Sequence, residues 1–256
     1  MNPKVTIITV CLNSEALIEK TLQSVASQDY PYIEYLIIDG GSTDSTLSIL
    51  KKYKSKISSI ISEKDNGIYD AMNKGIALST GDLIYFLNSG DYLYDDQTIK
   101  HVIKKVEEFP AAEIYTGDIF YYDKNGAERL SGNRSGPIDM LARVITHQAI
   151  LARKVVFEKY GDFDTKYRIY ADYDWLLKAV LENHAIVHYL GIPIAYYLKS
   201  GLSDRMWKNY LHERRDIVTK YTSKQQMICY MLKYPGDGFR YTIHRFIGYF
   251  IKKSKN

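Results

Sequence analysis

Three short runs, Val5-Thr6-Ile7-Ile8-Thr9-Val10, Tyr35-Leu36-Ile37-Ile38 and Leu83-Ile84-Tyr85-Phe86-Leu87, are rich in β-branched and aliphatic residues without strict apolar-polar alternation. Strands of this kind are buried on both faces, which calls for helices above and below a parallel sheet. The connecting segments suit that arrangement. Leu17, Ile18, Leu22 and Val25 recur at helical spacing after Ser14, a candidate cap, and Pro31 ends the run. Leu47, Ile49 and Leu50 begin a second helix, and Ile57 to Ile61 reads as a weaker strand. The alternation predicts βαβ units with right-handed crossovers, an architecture common among nucleotide binders.

The usual phosphate cradles are absent, since no GxGxxG follows the first run and no GxxxxGK[ST] occurs anywhere. Phosphate charge would then be met by a metal. Asp91 closes the stretch Leu87-Asn88-Ser89-Gly90-Asp91 at the sheet edge where open α/β folds bind ligands. A carboxylate there is a hard oxygen donor suited to Mg²⁺ or Mn²⁺ held on a phosphate, the plain alternative being an Asp-capped loop. Asp39 ends the second run facing the same edge, either as an acceptor for a base or ribose or as a turn residue before Gly40-Gly41.

Further along, Lys64-Asp65-Asn66-Gly67 makes a turn and Ile68, Met72 and Ile76 mark the core face of a short helix. Lys74, on another face, either meets water or touches phosphate. Ile99, Val102, Ile103 and Val106 give an amphipathic helix ending before Pro110. Ile114 to Thr116 and Ile119 to Tyr122 read as two short strands, and Asn125-Gly126 is a hairpin signal, so antiparallel strands are added in the second half. Val144 to Leu151 reads as a strand interrupted by His147-Gln148, where a lone His is ordinarily a satisfied core residue. In Tyr170 to Val180 the stripe Leu176, Ala179, Val180 turns Asp172 inward and Asp174 outward, four residues before Lys178 in the order of an exposed ion pair. Asp172 is thus the candidate general base, its alternative being a first-turn Asp that meets the helix dipole.

Together these stretches resemble the inverting glycosyltransferases of family 2, with the GT-A nucleotide-diphospho-sugar fold, over about Val5 to Ser203. Thr9-Val10-Cys11-Leu12-Asn13 is similar to the family's opening strand and nucleotide-binding loop. Ile38 to Asp44 resembles its second motif, whose first Asp, here Asp39, meets the donor base. Asp65 to Gly75, which includes Lys74, resembles a signature of a bacterial branch that assembles surface polysaccharide: capsule, O-antigen or exopolysaccharide. Asn88, Ser89 and Asp91 stand where the family carries its DxD-like metal motif, with Asn88 and Gly90 in place of Asp. Asp172 aligns with the base of the family's Glu-Asp pair, Ala171 replacing the Glu. His147-Gln148 resembles a pair beside the donor phosphates and the acceptor, and Ser203 lies in a site-closing loop.

The resemblance implies a hexosyltransferase-type enzyme with a nucleotide-sugar donor, expected to be uridine-linked, a saccharide or lipid-linked acceptor, and Mn²⁺ or Mg²⁺ as cofactor. A non-catalytic nucleotide-sugar or glycan binding module of the same fold is the rival, supported by Asn88, Gly90 and Ala171. A nucleotidyltransferase is a weaker one, since no Gly-rich loop bearing Lys or Arg follows the first strand to grip a triphosphate.

Charge divides the chain. Residues 206–256 carry eleven Lys and Arg against three Asp and Glu, a net +8, which leaves −4 for 1–205 in a chain of net +4. A catalytic domain over 1–205 and a basic helical extension over 206–256 are expected. Within the extension, Ile243, Phe246, Ile247 and Phe250 form an apolar stripe beside Arg240, Arg245, Lys252, Lys253 and Lys255, so 240–256 suits either an anionic membrane surface or packing on protein. Two distant cysteines, no secretory signal pattern and no spanning apolar run predict a cytoplasmic protein, peripheral to the inner face of the membrane if that stripe binds lipid. Nucleic acid is not expected as a partner, and a homo-oligomer is left open.

Overall fold

The computed structural model describes residues 2–123, 126–130, 132–133, 137–199 and 207–223. Strands β1 (Val5–Cys11), β2 (Ile33–Asp39) and β4 (Leu83–Phe86) fall on the three runs, and β3 (Ser59–Ser62) starts two residues later than expected. They are parallel in the order β3-β2-β1-β4, with Cys11 opposite Asp39 and Ile8 opposite Phe86. Helices α1 (Ile18–Ala26), α2 (Thr46–Lys52) and α3 (Ile68–Leu78) connect them. All of β1 and β4 is buried, as strands covered on both faces must be. Ser14 does not cap α1 with its side chain. It offers its carbonyl to Leu17 and Ile18, while its hydroxyl reaches Leu12 and Ser89.

Beyond β5 (Tyr92–Leu93) and α4 (Thr98–Glu108) the sheet changes character. The two strands expected between 114 and 122 are one, β6 (Ile114–Asp123), whose register against β9 (Val187–Leu198) slips around Gly117. A local irregularity of this kind interrupts the sequence pattern without ending the strand. β6 pairs β8 (Ile150–Arg153) over its first residues and β7 (Gly126–Leu130) over its last, both antiparallel; β6 and β7 form a hairpin where the Asn125-Gly126 signal lies, with Gly126 itself paired opposite Asp123. The sheet continues as β4-β8-β6-β9-β5.

The stretch 144–151 is not an interrupted strand. His147–Ala149 forms a single 3₁₀ turn after α5 (Pro137–Ala142), and β8 begins only at Ile150. After α6 (Lys154–Tyr160), α7 (Ala171–Leu177) continues into a π-helical turn, Lys178–Glu182, and every residue of α7 is buried. The last helix among the described residues, α8 (Leu211–Tyr221), buries Glu213, Ile217, Val218 and Tyr221. Among the described residues no helix is long and apolar enough to cross a membrane.

Candidate active site

The carboxyl ends of β1, β2 and β4 meet at one edge, as the parallel order dictates, and their loops are tied together. The Asn13 backbone N–H donates to Ser42 Oγ (2.8 Å), and Asn13 Oδ1 accepts from the Thr43 N–H (2.9 Å). Ser14 and Ser89 share a hydroxyl contact of 2.9 Å. Thr9 and Val10 are buried below this rim, where the Thr9 hydroxyl donates to the Leu87 carbonyl at 2.6 Å. Asp39 is fully buried and accepts from the hydroxyls of Ser42 and Ser62 and from the backbone N–H groups of Gly41 and Ser42. Burial would raise its pKa, but these hydrogen bonds outweigh it and hold the carboxyl below the usual range. Its present partners are those of a turn-former.

Asp65 lies against the same turn, since a Cβ on Gly40 would come within 2.4 Å of Asp65 Oδ2. Lys74 is engaged by two carboxylates, Glu63 at 2.8 Å and Asp70 at 3.5 Å.

After β4 the chain turns through Gly90, whose φ of +98° favours a residue without Cβ, and delivers Asp91 into the interior. Asp91 is 4% exposed. Its Oδ2 accepts from Gln148 Nε2 (2.8 Å) and its Oδ1 from the Leu198 N–H (3.1 Å). His147, the residue before Gln148, reaches Asp172: the imidazole Nδ1 lies 3.0 Å from Asp172 Oδ2, and the His147 backbone N–H donates to the same oxygen at 3.2 Å. A carboxylate can only accept, so Nδ1 carries the proton and Nε2 accepts from Asn88 Nδ2 at 2.8 Å. The 3₁₀ turn therefore has a purpose. Its two consecutive side chains diverge and link the carboxylate after β4 to the one on α7.

Asp172 Oδ1 completes the network by accepting the Tyr69 hydroxyl (3.0 Å) and the Tyr173 N–H (2.8 Å). Burial, and then the Asp172 charge, push the Tyr69 phenol well above its ordinary pKa, so Tyr69 remains a donor. It shares its single proton with the Ile169 carbonyl at 2.7 Å. Behind the network stands an aromatic wall of Phe86, Phe157, Phe163 and Trp175, in which Phe157 and Trp175 stack at 4.5 Å. A cavity of about 190 Å³ opens beside Tyr69 and Ile169, lined also by Asn66, Tyr167, Arg168 and Tyr210.

Asp174 departs from expectation. It is buried and accepts from Lys220 Nζ (3.2 Å) and the Tyr221 hydroxyl (3.1 Å), while Lys178 donates to the Tyr160 carbonyl. The helical wheel of α7 correctly turns Asp172 inward, but α8 covers the face that the same wheel assigns to solvent. Sequence reasoning gave no individual role to Tyr69, although its motif was singled out, and gave none to Glu213. Ser203 and 240–256 lie outside the described residues.

Among the described residues no three of His, Cys, Asp and Glu cluster as metal ligands. The donor set at Asp91 nevertheless fits a hard cation shared with a substrate. Asn88 Oδ1 and Gln148 Oε1, both on residues bonded into this network, are buried oxygens without a hydrogen-bond partner.

A parallel half, a mixed half in which β7 and β8 run antiparallel to β6 and β9 runs parallel to it, and carboxylates at the junction make up a GT-A type fold. Solved structures share this fold: Staphylococcus aureus TarS in complex with UDP, at a TM-score of 0.71 and 18% identity, covers 92% of this chain and 72% of its own. A mannosyltransferase from Pyrobaculum calidifontis, in complex with GDP-Man and Mn²⁺, gives 0.66 at 16% identity over 87% and 66%. The Glycosyl transferase family 2 model matches residues 6–169, and the chain belongs to that family. A PGL/p-HBAD biosynthesis glycosyltransferase of Mycobacterium bovis is 31% identical over 78% of both chains. An uncharacterized glycosyltransferase of Mycobacterium tuberculosis is 32% identical over 70% of both.

Proposed function

We propose that this glycosyltransferase moves one sugar from a uridine-diphosphate donor to a hydroxyl of a saccharide or lipid-linked saccharide, with inversion at the anomeric carbon. The observation that carries this reading is the His147-Gln148 link, which joins Asp91 and Asp172, carboxylates from distant segments, into one buried network. TarS, a structural neighbour, has been solved with UDP and with UDP-GlcNAc, which supports a uridine donor. The Asp65 to Gly75 signature supports a place in bacterial surface-polysaccharide assembly.

In this mechanism Asp172 takes the proton of the acceptor hydroxyl as that oxygen attacks the anomeric carbon from the face opposite the nucleotide. The bond from carbon to diphosphate oxygen breaks and its electron pair leaves with the nucleotide. Four donors already occupy the Asp172 carboxylate, so accepting a proton requires one of them to let go. Tyr69 is suited to release, because the Ile169 carbonyl keeps its hydroxyl satisfied. His147 holds Asp172 in place, and the cavity beside Tyr69 is on the side we assign to the acceptor. A divalent cation, Mn²⁺ or Mg²⁺, when bound would neutralise charge on the leaving diphosphate. Asp91, with the amide oxygens of Asn88 and Gln148, would hold it.

The test is nucleoside diphosphate release from UDP-glucose, UDP-GlcNAc and GDP-mannose in the presence of Mn²⁺. Slow release is expected from one donor, with Asp172→Asn lowering it about 10²- to 10⁴-fold and Asp91→Ala abolishing it. Binding without release would make the protein a recognition module instead, and pyrophosphate formation from a nucleoside triphosphate and a sugar phosphate would make it a nucleotidyltransferase. We also propose that basic residues 240–256 meet an anionic membrane surface, which the charge division supports. Pelleting with anionic vesicles that survives removal of those residues would count against it.

A further inference from the structure

Helix α7 starts without a cap of its own, for Tyr170 at its N-cap makes no side-chain capping bond. The backbone N–H groups leading into it are met from elsewhere. Glu213, near the start of α8 and 4% exposed, accepts the Arg168 N–H at Oε1 (2.7 Å) and the Ile169 and Tyr170 N–H groups at Oε2 (3.0 and 3.3 Å). A buried carboxylate gathering three successive amides from a segment more than forty residues earlier is a strong local constraint, since bonds to a charged acceptor are each worth about twice a neutral one.

What the clamp holds is the approach to Asp172. The Ile169 carbonyl and the Tyr170 N–H belong to one peptide group. Glu213 takes its N–H, and Tyr69 donates to its oxygen while also donating to Asp172 Oδ1. At the far end of α8, Lys220 and the Tyr221 hydroxyl grip Asp174, one turn into α7. Thus α8 pins α7 on both sides of Asp172.

Resting on the reading of Asp172 as the base, we propose that Glu213 is a positioning residue for transfer, acting through Asp172 from a segment that the charge pattern assigns to the extension. Its hydrogen bonds among the described residues go to the 168–170 backbone and not to the loops tied around Asp39 and Asn88, so it governs the chemical step and not the hold on the nucleotide.

The experiment is a double-mutant cycle read as nucleoside diphosphate release from the most active of the three donors named above. In the wild-type background Glu213→Ala lowers kcat about 10- to 100-fold, the scale of a small misplacement of a reacting group, with the donor KM within about twofold of wild type. Glu213→Gln, with one acceptor oxygen in place of two, gives a smaller loss and carries the cycle if the Ala variant does not fold. In an Asp172→Asn background either substitution changes the residual rate by less than about twofold, because groups acting as a unit are not additive. Losses that multiply independently in the two backgrounds, a donor KM that rises while kcat holds, or full activity in Glu213→Ala would each overturn the proposal. If Asp172→Asn itself retains full release, the reading of the base fails and this role with it. If Asp172→Asn is inactive while the Glu213 variants are normal, only the positioning role fails.

Discussion

Gln148 shows how closely single side chains are bound into this site. Its amide nitrogen supplies one of the donors that keep Asp91 satisfied at almost complete burial. Removing one partner of a buried charged group costs about 1–3 kcal/mol, so Gln148→Leu is expected to lower Tm by roughly 2–12 °C at the 2–4 °C per kcal/mol usual for a chain of this length. Donor turnover should fall with it. A calorimetric scan that leaves Tm unchanged would show that Asp91 draws its stability from other partners. At this scale the sequence was legible where a residue's neighbours are local and silent where they are not. The inward direction of Asp172 was legible because it follows from helical spacing. Asp174 was misread by the same rule, because Lys220 and Tyr221 reach it from α8, and no periodicity within α7 records a second covering element. Glu213 sits in the run His212-Glu213-Arg214-Arg215-Asp216, which looks solvated until the amides of Arg168 to Tyr170 are placed beside it.

Among the elements, the parallel half was read almost residue for residue, since a strand buried on both faces announces itself as an apolar run. The second half was not, because β6 serves three partner strands and its register slip breaks the pattern. β2 offers an element-scale test. Glu34 crosses from it to the Thr6 hydroxyl on β1 (2.6 Å), the Thr80 N–H (2.7 Å) and Lys4 (3.0 Å), stitching two strands to the turn before β4. Burial would raise its pKa, yet the bonds from Thr6 and Thr80 and the Lys4 contact prevail and bring it from 4.5 to about 2. A carboxyl depressed on folding stabilises the protein fully above its unfolded pKa, and the contribution drains away as pH falls through the folded one. At neutral pH it is at most about 3 kcal/mol, and by pH 3 less than half of that remains. Urea midpoints of wild type and Glu34→Gln should therefore lie well apart at pH 7 and converge towards pH 3. A gap that stays constant with pH would mean that the carboxylate's charge is not what ties these strands.

For the whole molecule, the net charge changes sign at about residue 205, and α8, just beyond that point, is bonded to the α7 region. The sum of charges marks a basic extension, but Ile217, Val218 and Tyr221 are buried and Glu213 and Asp174 exchange partners between α8 and the α7 region. Fully burying an aliphatic or aromatic side chain is worth about 1.5–3 kcal/mol, so these three apolar groups contribute roughly 5–9 kcal/mol. That is comparable with the entire 5–15 kcal/mol by which a folded domain typically exceeds its unfolded chain. A chain ended after residue 205 would also leave Asp174 and the amides of residues 168–170 without their present partners. It should accordingly be insoluble or unfold without a cooperative transition, and should release no nucleoside diphosphate. Ending the chain after residue 223 keeps the α8 contacts named above and should preserve both the thermal transition and donor turnover. The comparison of the two lengths by circular dichroism and by the release assay decides between them. A chain ended at 205 that melts cooperatively at the full-length Tm would show α8 to be an attachment to the site and not a part of its frame.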